Sequence, residues 1–301
     1  MKLFILKIVK YVTAIILIAN VLGWTGDFIL RKSSFFKPSF LLNNYKQGEQ
    51  FDYFILGSSR GLTTLDSKQI DSSLSTKGIN LSMDDTDLKT HLLMLNHFFK
   101  NGYNSKYCIL VLDNLTSSGV KLGDNDYKFA SFINEEYVKN HFKTYESNRF
   151  KPLFNSLYWP FLKYSYYNIQ IIPPVLLSIL NPKKRHRFDE NGNYTYPNIK
   201  NKSHKNKRIK IDTSRISNPL VNEFRKLCEI NKTELIIYIA PYENLKIILD
   251  QEENIFNNSA VINDENLFYD AIHVNKEGRK AATNEFIKLF KHKLFNNAIT
   301  D

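Results

Sequence analysis

The chain has 301 residues, of which 43% are hydrophobic, 14% aromatic and 24% charged, enough apolar material for one large core or two smaller ones and far too much for a disordered chain. Two cysteines, neither in a Cys-x-x-Cys pair, exclude a disulfide scaffold and a cysteine-built zinc site. The net charge of +11 is local: residues 183–210 hold ten Lys/Arg against Asp189 and Glu190, so the remainder is close to neutral.

Lys2, Lys7 and Lys10 are followed by residues 11–24 (YVTAIILIANVLGW), which carry no charge. This pattern predicts an N-terminal membrane anchor or export signal over residues 1–31, with an uncleaved anchor favoured. Residues 3–24 are enough to span a hydrocarbon core of about 30 Å, and the remainder of the chain is expected outside the cytoplasm. Cys108 and Cys228 each sit in an apolar run and read as small buried hydrophobes rather than halves of a bridge.

A linker is expected around residues 31–50. Beyond it come short runs rich in β-formers at 52–56 (DYFIL), 78–81, 107–112 (YCILVL), 234–240 (ELIIYIA) and 259–263. Helical spacing appears over 87–100, over 219–231 with Leu220, Phe224 and Leu227 on one side, and over 276–295 with Ala281, Phe286, Leu289 and Phe290 inward. Continuous apolar strands alternating with helices predict an α/β fold with a parallel sheet covered on both faces. One domain over 32–301 is expected, with an insertion of about 115–214 that is mostly helical, including 148–180 between its prolines.

Two local features bear on chemistry. The first strand runs into Gly57-Ser58-Ser59-Arg60-Gly61, and the carboxyl ends of parallel strands are where such sheets bind ligands. A serine there is either a presented hydroxyl or merely a helix N-cap. Just before the last helix stands Asp270-Ala-Ile-His273, in which the carboxylate can hold the imidazole Nδ1–H and leave Nε2 as a general base. Alone, this spacing also fits a solvated surface histidine. His91 and His97 read as surface or core-edge residues, and their spacing of six misses that of a helical metal pair.

Taken together, these two blocks resemble the SGNH (GDSL-like) hydrolase family. Gly57-Ser58-Ser59 matches its first block, with Ser in place of the Asp, and Asp270 with His273 matches its last; Asn275-Lys-Glu-Gly278 resembles the usual run into the final helix. The resemblance implies a flavodoxin-like sheet, Ser59 as nucleophile, His273 as base and Asp270 as its orienting partner. Its second block falls at Asn80-Leu-Ser82-Met83, implying the backbone N–H groups of Ser59 and Ser82 as oxyanion donors. The third block departs: Leu112-Asp113-Asn114-Leu115 stands where the family has Gly-x-Asn-Asp, and Asn114 either supplies the remaining donor or only forms a turn.

An anchor, a Gly-Ser-Ser block and an altered third block are most similar to extracytoplasmic members that modify surface polymers, such as those of alginate O-acetylation and teichoic-acid D-alanylation. The resemblance thus implies an esterase or O-acyltransferase acting on acyl esters, acetyl foremost, of a cell-surface or exopolysaccharide, with no cofactor or metal. A multi-pass membrane acyltransferase is an expected partner and nucleic acid is not. The rival expectation is a catalytically weak scaffold that binds polymer or assists such an acyltransferase. The tract 183–210 is either a solvated loop or a collar for anionic polymer or lipid, with Tyr194 and Tyr196 offering flat faces to sugar rings.

Overall fold

A computed structural model describes residues 1–116, 119–198, 209–249 and 254–297. In chain order its elements are α1 (Lys2–Arg31), α2 (Lys37–Asn44), β1 (Gln50–Leu56), α3 (Ser59–Thr64), α4 (Ser67–Leu74), β2 (Gly78–Asn80), α5 (Leu88–Lys100) and β3 (Asn104–Val111). There follow α6 (Glu136–Tyr145), α7 (Pro152–Asn155), α8 (Phe161–Tyr166), α9 (Asn168–Leu180), β4 (Lys210–Ser214), α10 (Pro219–Ile230), β5 (Glu234–Ile239), β6 (Leu245–Leu249), β7 (Ile255–Asn257) and α11 (Lys276–Asn297). The chain divides into two compact units, one of Met1–Tyr45 with Val120–His186, the other of Lys46–Gly119 with Arg187–Asp301.

In the first unit α1 is long and apolar enough to cross a membrane, with a mean hydropathy of 2.0 over its best 18-residue window. Only Asn20, Gly23, Gly26 and Leu30 of this helix are buried. A Cβ at Gly23 would lie 2.8 Å from Pro160 Cβ, and one at Gly26 2.4 Å from the Tyr164 hydroxyl, so the two glycines let α8 approach α1 closely. Beside them Asp27 accepts hydrogen bonds from the buried Lys163 Nζ at 2.5 Å and the Tyr164 hydroxyl at 2.9 Å. The expected linker at 31–50 instead contains α2, whose Phe40 and Leu41 are fully buried. The helical reading of 148–180 holds as α7, α8 and α9, but Pro173 and Pro174 lie inside α9 rather than bounding it.

The second unit is α/β, with a five-stranded sheet in the order β2-β1-β3-β5-β7, parallel throughout. Counted within the sheet this is the order 2-1-3-4-5, whose direction reverses between β1 and β3. Side chains alternate along each strand. Tyr53, Ile55, Tyr107, Ile109, Ile236 and Tyr238 form one core with Phe286 and Phe290 of α11. Phe54 lies on the other face and stacks on Phe98 of α5 at 4.2 Å. Cys108 and Cys228 are both free and buried, and burial, with a hydrogen bond to Cys228, pushes the Cys108 thiol well up.

Several local expectations are corrected. The last sheet strand lies at Ile255–Asn257, not 259–263. Asn257 Oδ1 takes the Ser259 N–H at 3.1 Å in a turn that closes the strand, and Ser259 Oγ accepts the Ile247 N–H at 3.0 Å. β4 and β6 form a separate parallel pair that the sequence did not announce. α10 buries Val221, Phe224 and Cys228, one position round from the expected stripe. Leu289 of α11 is exposed rather than inward. His91 and His97 are buried, and His91 Nε2 lies 3.1 Å from Thr86 Oγ1.

Candidate active site

Where β1 ends, the two adjacent serines divide two tasks. Ser58 is the N-cap of α3: its extended backbone lets Oγ accept the Arg60 N–H at 3.2 Å, and its hydroxyl also donates to Asp113. Ser59 occupies the first helical position, half-buried, with Oγ turned away from the cap and toward the loop before α11. Because Ser58 does the capping, the Ser59 hydroxyl is available for other contacts.

That loop is shaped by its own sequence. Phe268 and Val274, both buried, pair across it and anchor in a small cluster with Ile262 and Ala282. Between them, Asp270 Oδ1 accepts the backbone N–H groups of Ile272 and His273, each at 2.9 Å. Asn275 then caps α11, taking the Glu277 and Gly278 N–H groups at 3.1 Å. Gly278 is needed for the close approach of helix and loop, since a Cβ there would fall 1.9 Å from the Leu267 carbonyl oxygen.

The turn delivers three side chains into one chain of contacts. His273 Nε2 lies 2.8 Å from Ser59 Oγ, and His273 Nδ1 lies 2.8 Å from Asp270 Oδ2 and 3.0 Å from Oδ1. Burial by itself would raise the Asp270 carboxyl; hydrogen bonds from the His273 ring and from the Ile272 and His273 N–H groups outweigh it and hold the group below its ordinary value. A carboxylate that stays ionised orients the imidazole with Nδ1 protonated and Nε2 as acceptor. Tyr196 packs 5.2 Å from the His273 ring and stacks on Tyr269 at 4.3 Å, with Tyr194 edge-on at 5.3 Å.

The three residues assigned to oxyanion binding stand differently. The Ser59 N–H has no partner among the described residues. The Ser82 N–H donates to Asn80 Oδ1 at 3.0 Å, while Asn80 Nδ2 donates to the Gly61 carbonyl at 2.9 Å, so this amide would have to exchange partners to serve an oxyanion. Asn114 is exposed, with Oδ1 accepting the Thr116 N–H at 3.2 Å.

Sequence reasoning passed over Arg60. Its side chain is buried, and Nη1 donates to Asp113 Oδ1 at 3.1 Å. Nη2 donates to the carbonyls of Ala240 and Pro241 at 2.7 and 2.9 Å, and Nε to that of Ile272 at 3.2 Å. The guanidinium carbon also lies over the Tyr242 ring, 3.6 Å from its centroid. One side chain therefore ties the turn after β1 to the ends of β3 and β5 and to the residue preceding His273. The one available signal was its place, a cation directly after Ser-Ser where the chain turns into the core. These groups gather at the carboxyl ends of β1 and β3, the switch point of the sheet.

Among the described residues no three His, Cys, Asp or Glu side chains are grouped to hold a metal ion. Lys200, Lys202, Lys205, Lys207 and Arg208 of the basic tract lie outside the described residues. No family model matches the chain, and no curated protein matches it.

Proposed function

We propose that the protein is a serine ester hydrolase or O-acyltransferase of SGNH type, acting through Ser59, His273 and Asp270. The observation that carries this reading is the continuous contact from Ser59 Oγ through the imidazole to the Asp270 carboxylate, each link at 2.8 Å. His273 Nε2 takes the hydroxyl proton as Ser59 Oγ attacks the ester carbonyl, and Asp270 stabilises the imidazolium formed. The Ser59 N–H, which has no partner among the described residues, would take the charge that develops on the carbonyl oxygen. Collapse of the tetrahedral intermediate breaks the bond to the alcohol, which leaves with the proton from Nε2, and the acyl group stays on Ser59. Water as second acceptor completes hydrolysis; a sugar hydroxyl completes transfer. In both cases His273 takes the acceptor's proton and returns it to Ser59.

The substrate we favour is an acyl ester, acetyl foremost, on a cell-surface or exopolysaccharide. The half-buried Tyr194, Tyr196 and Tyr269 beside His273 support it, since stacked phenol rings suit a sugar ring. α1 would hold the protein to the membrane with the α/β unit outside the cytoplasm, where a multi-pass acyltransferase is its natural partner. One observation favours the rival scaffold reading: the Ser82 N–H is already engaged by Asn80. Turnover of p-nitrophenyl acetate separates the two. Ser59→Ala and His273→Ala, folded by circular dichroism, should each lower it at least about 10³-fold. Wild-type turnover in both variants, or none in the wild type on any acyl ester, would leave the scaffold reading.

A further inference from the structure

α9 presents an apolar face where a water-facing helix carries polar side chains. Its inward stripe, Ile171, Pro174 and Ser178, is buried within the first unit. The opposite stripe keeps the same helical spacing and is aliphatic throughout: Ile169 is 80% exposed, Ile172 42%, Leu176 57% and Ile179 57%, and Leu180 beside them 83%. Each such side chain gains free energy when it leaves water, so a row of them without cover marks an interaction surface.

Five observations bear on what covers it. α9 packs against α1 in the same unit, and α1 is the helix long and apolar enough to cross a membrane. The buried positions of α1 are Asn20, Gly23, Gly26 and Leu30, whereas about twenty residues counted from Leu3 already traverse a ~30 Å hydrocarbon core. The neighbouring helices therefore meet α1 at the level where it emerges from lipid. α9 itself has 13 residues, a length of about 20 Å at 1.5 Å per residue, too short to cross and suited to lying along a membrane surface. Its surroundings fit that depth. Tyr158, Trp159 and Tyr166, all exposed, precede it and are side chains that favour the interface. Lys183 and Lys184, exposed, follow it, and such cations are drawn to anionic headgroups.

We propose that α9 is a second membrane element, lying in the interface of the bilayer that α1 enters, with Ile169, Ile172, Leu176 and Ile179 among the lipid acyl chains. The occupant of the stripe is lipid, and the proposal does not depend on the ester chemistry. The full-length protein, reconstituted at one copy per nanodisc of phosphatidylethanolamine and phosphatidylglycerol, tests it. A nitroxide at I179C should be open to oxygen and shielded from a water-soluble nickel chelate, whereas one at E229C on α10 should show the reverse. Nickel access at I179C equal to that at E229C overturns the proposal. So does shielding from both reagents, which would mean that protein covers the stripe. A second measurement leaves α9 unaltered: W24F makes Trp159 the sole tryptophan, and lipids brominated near the headgroup should quench it by at least half. Unquenched Trp159 fluorescence overturns the proposal equally.

Discussion

The two units of the chain bury their residues by different rules. In the α/β unit the central strands β1, β3 and β5 are mostly apolar and buried on both faces, and Arg60 enters the interior matched to one carboxylate, three carbonyls and a tyrosine ring. In the helical unit the interior holds the Asp27–Lys163 pair, while whole aliphatic stripes of α1 and α9 face outward. The first pattern suits a fold whose solvent is water on every side. The second suits helices whose solvent is partly lipid, where apolar side chains gain nothing by turning inward. Hydrophobicity alone does not separate the two, because both units are rich in aliphatic residues; the direction in which those residues point does.

Substitutions in the two units should differ accordingly in their cost. The largest effect should come from Phe286→Ala, which empties a fully buried site between α11 and the sheet and should cost about 3–5 kcal/mol in chemical denaturation. Arg60→Met should follow at about 3 kcal/mol, since it leaves Asp113 without its cation and three carbonyls without a donor. On the proposed chemistry Arg60 acts as a positioning residue, holding the Ile272 carbonyl next to His273. We therefore expect Arg60→Met to lower kcat for p-nitrophenyl acetate about 10²-fold with little change in KM, and Arg60→Lys to recover part of it. Unchanged kcat in a folded Arg60→Met variant would remove the positioning role.

Asp270→Asn should have a smaller effect on stability, one that depends on pH. The native carboxyl titrates below its unfolded value of about 3.9, so its contribution is fully present above that value and is lost as pH falls through the native one. Thermal melts of wild type and Asp270→Asn should differ at pH 7 and converge below about pH 4. A gap that widens on acidification would contradict the assigned hydrogen bonds. The smallest effect belongs to the helical unit: Leu176→Ser should change stability in detergent by less than about 0.5 kcal/mol, although it removes as much aliphatic surface as many core substitutions. A loss of several kcal/mol there would show that the stripe packs against protein.

Legibility in the sequence followed the range of the interactions. β1, β3 and β5 could be read directly, because a strand buried on both faces is a continuous run such as YCILVL. β4 could not, because Lys-Ile-Asp-Thr-Ser is exposed and polar and becomes a strand only by pairing with Leu245–Leu249. β7 was displaced because an Asn-Asn-Ser turn ended the strand earlier than the apolar pattern suggested. Asp270 and His273 were legible because their contact spans three residues. The division of labour between Ser58 and Ser59 was not, since it depends on Asp113, 55 residues away from Ser58. Arg60 was hidden for the same reason, with partners as far away as Ile272.

The central claim is that Ser59, and not its neighbour, is the activated hydroxyl. A fluorophosphonate reacts only with such a serine, and peptide mass spectrometry locates the adduct. One adduct is expected on Ser59 in the wild type, retained in Ser58→Ala and lost in both Ser59→Ala and His273→Ala. An adduct on Ser58, labelling that survives in His273→Ala, or no labelling of the folded wild-type protein would contradict it.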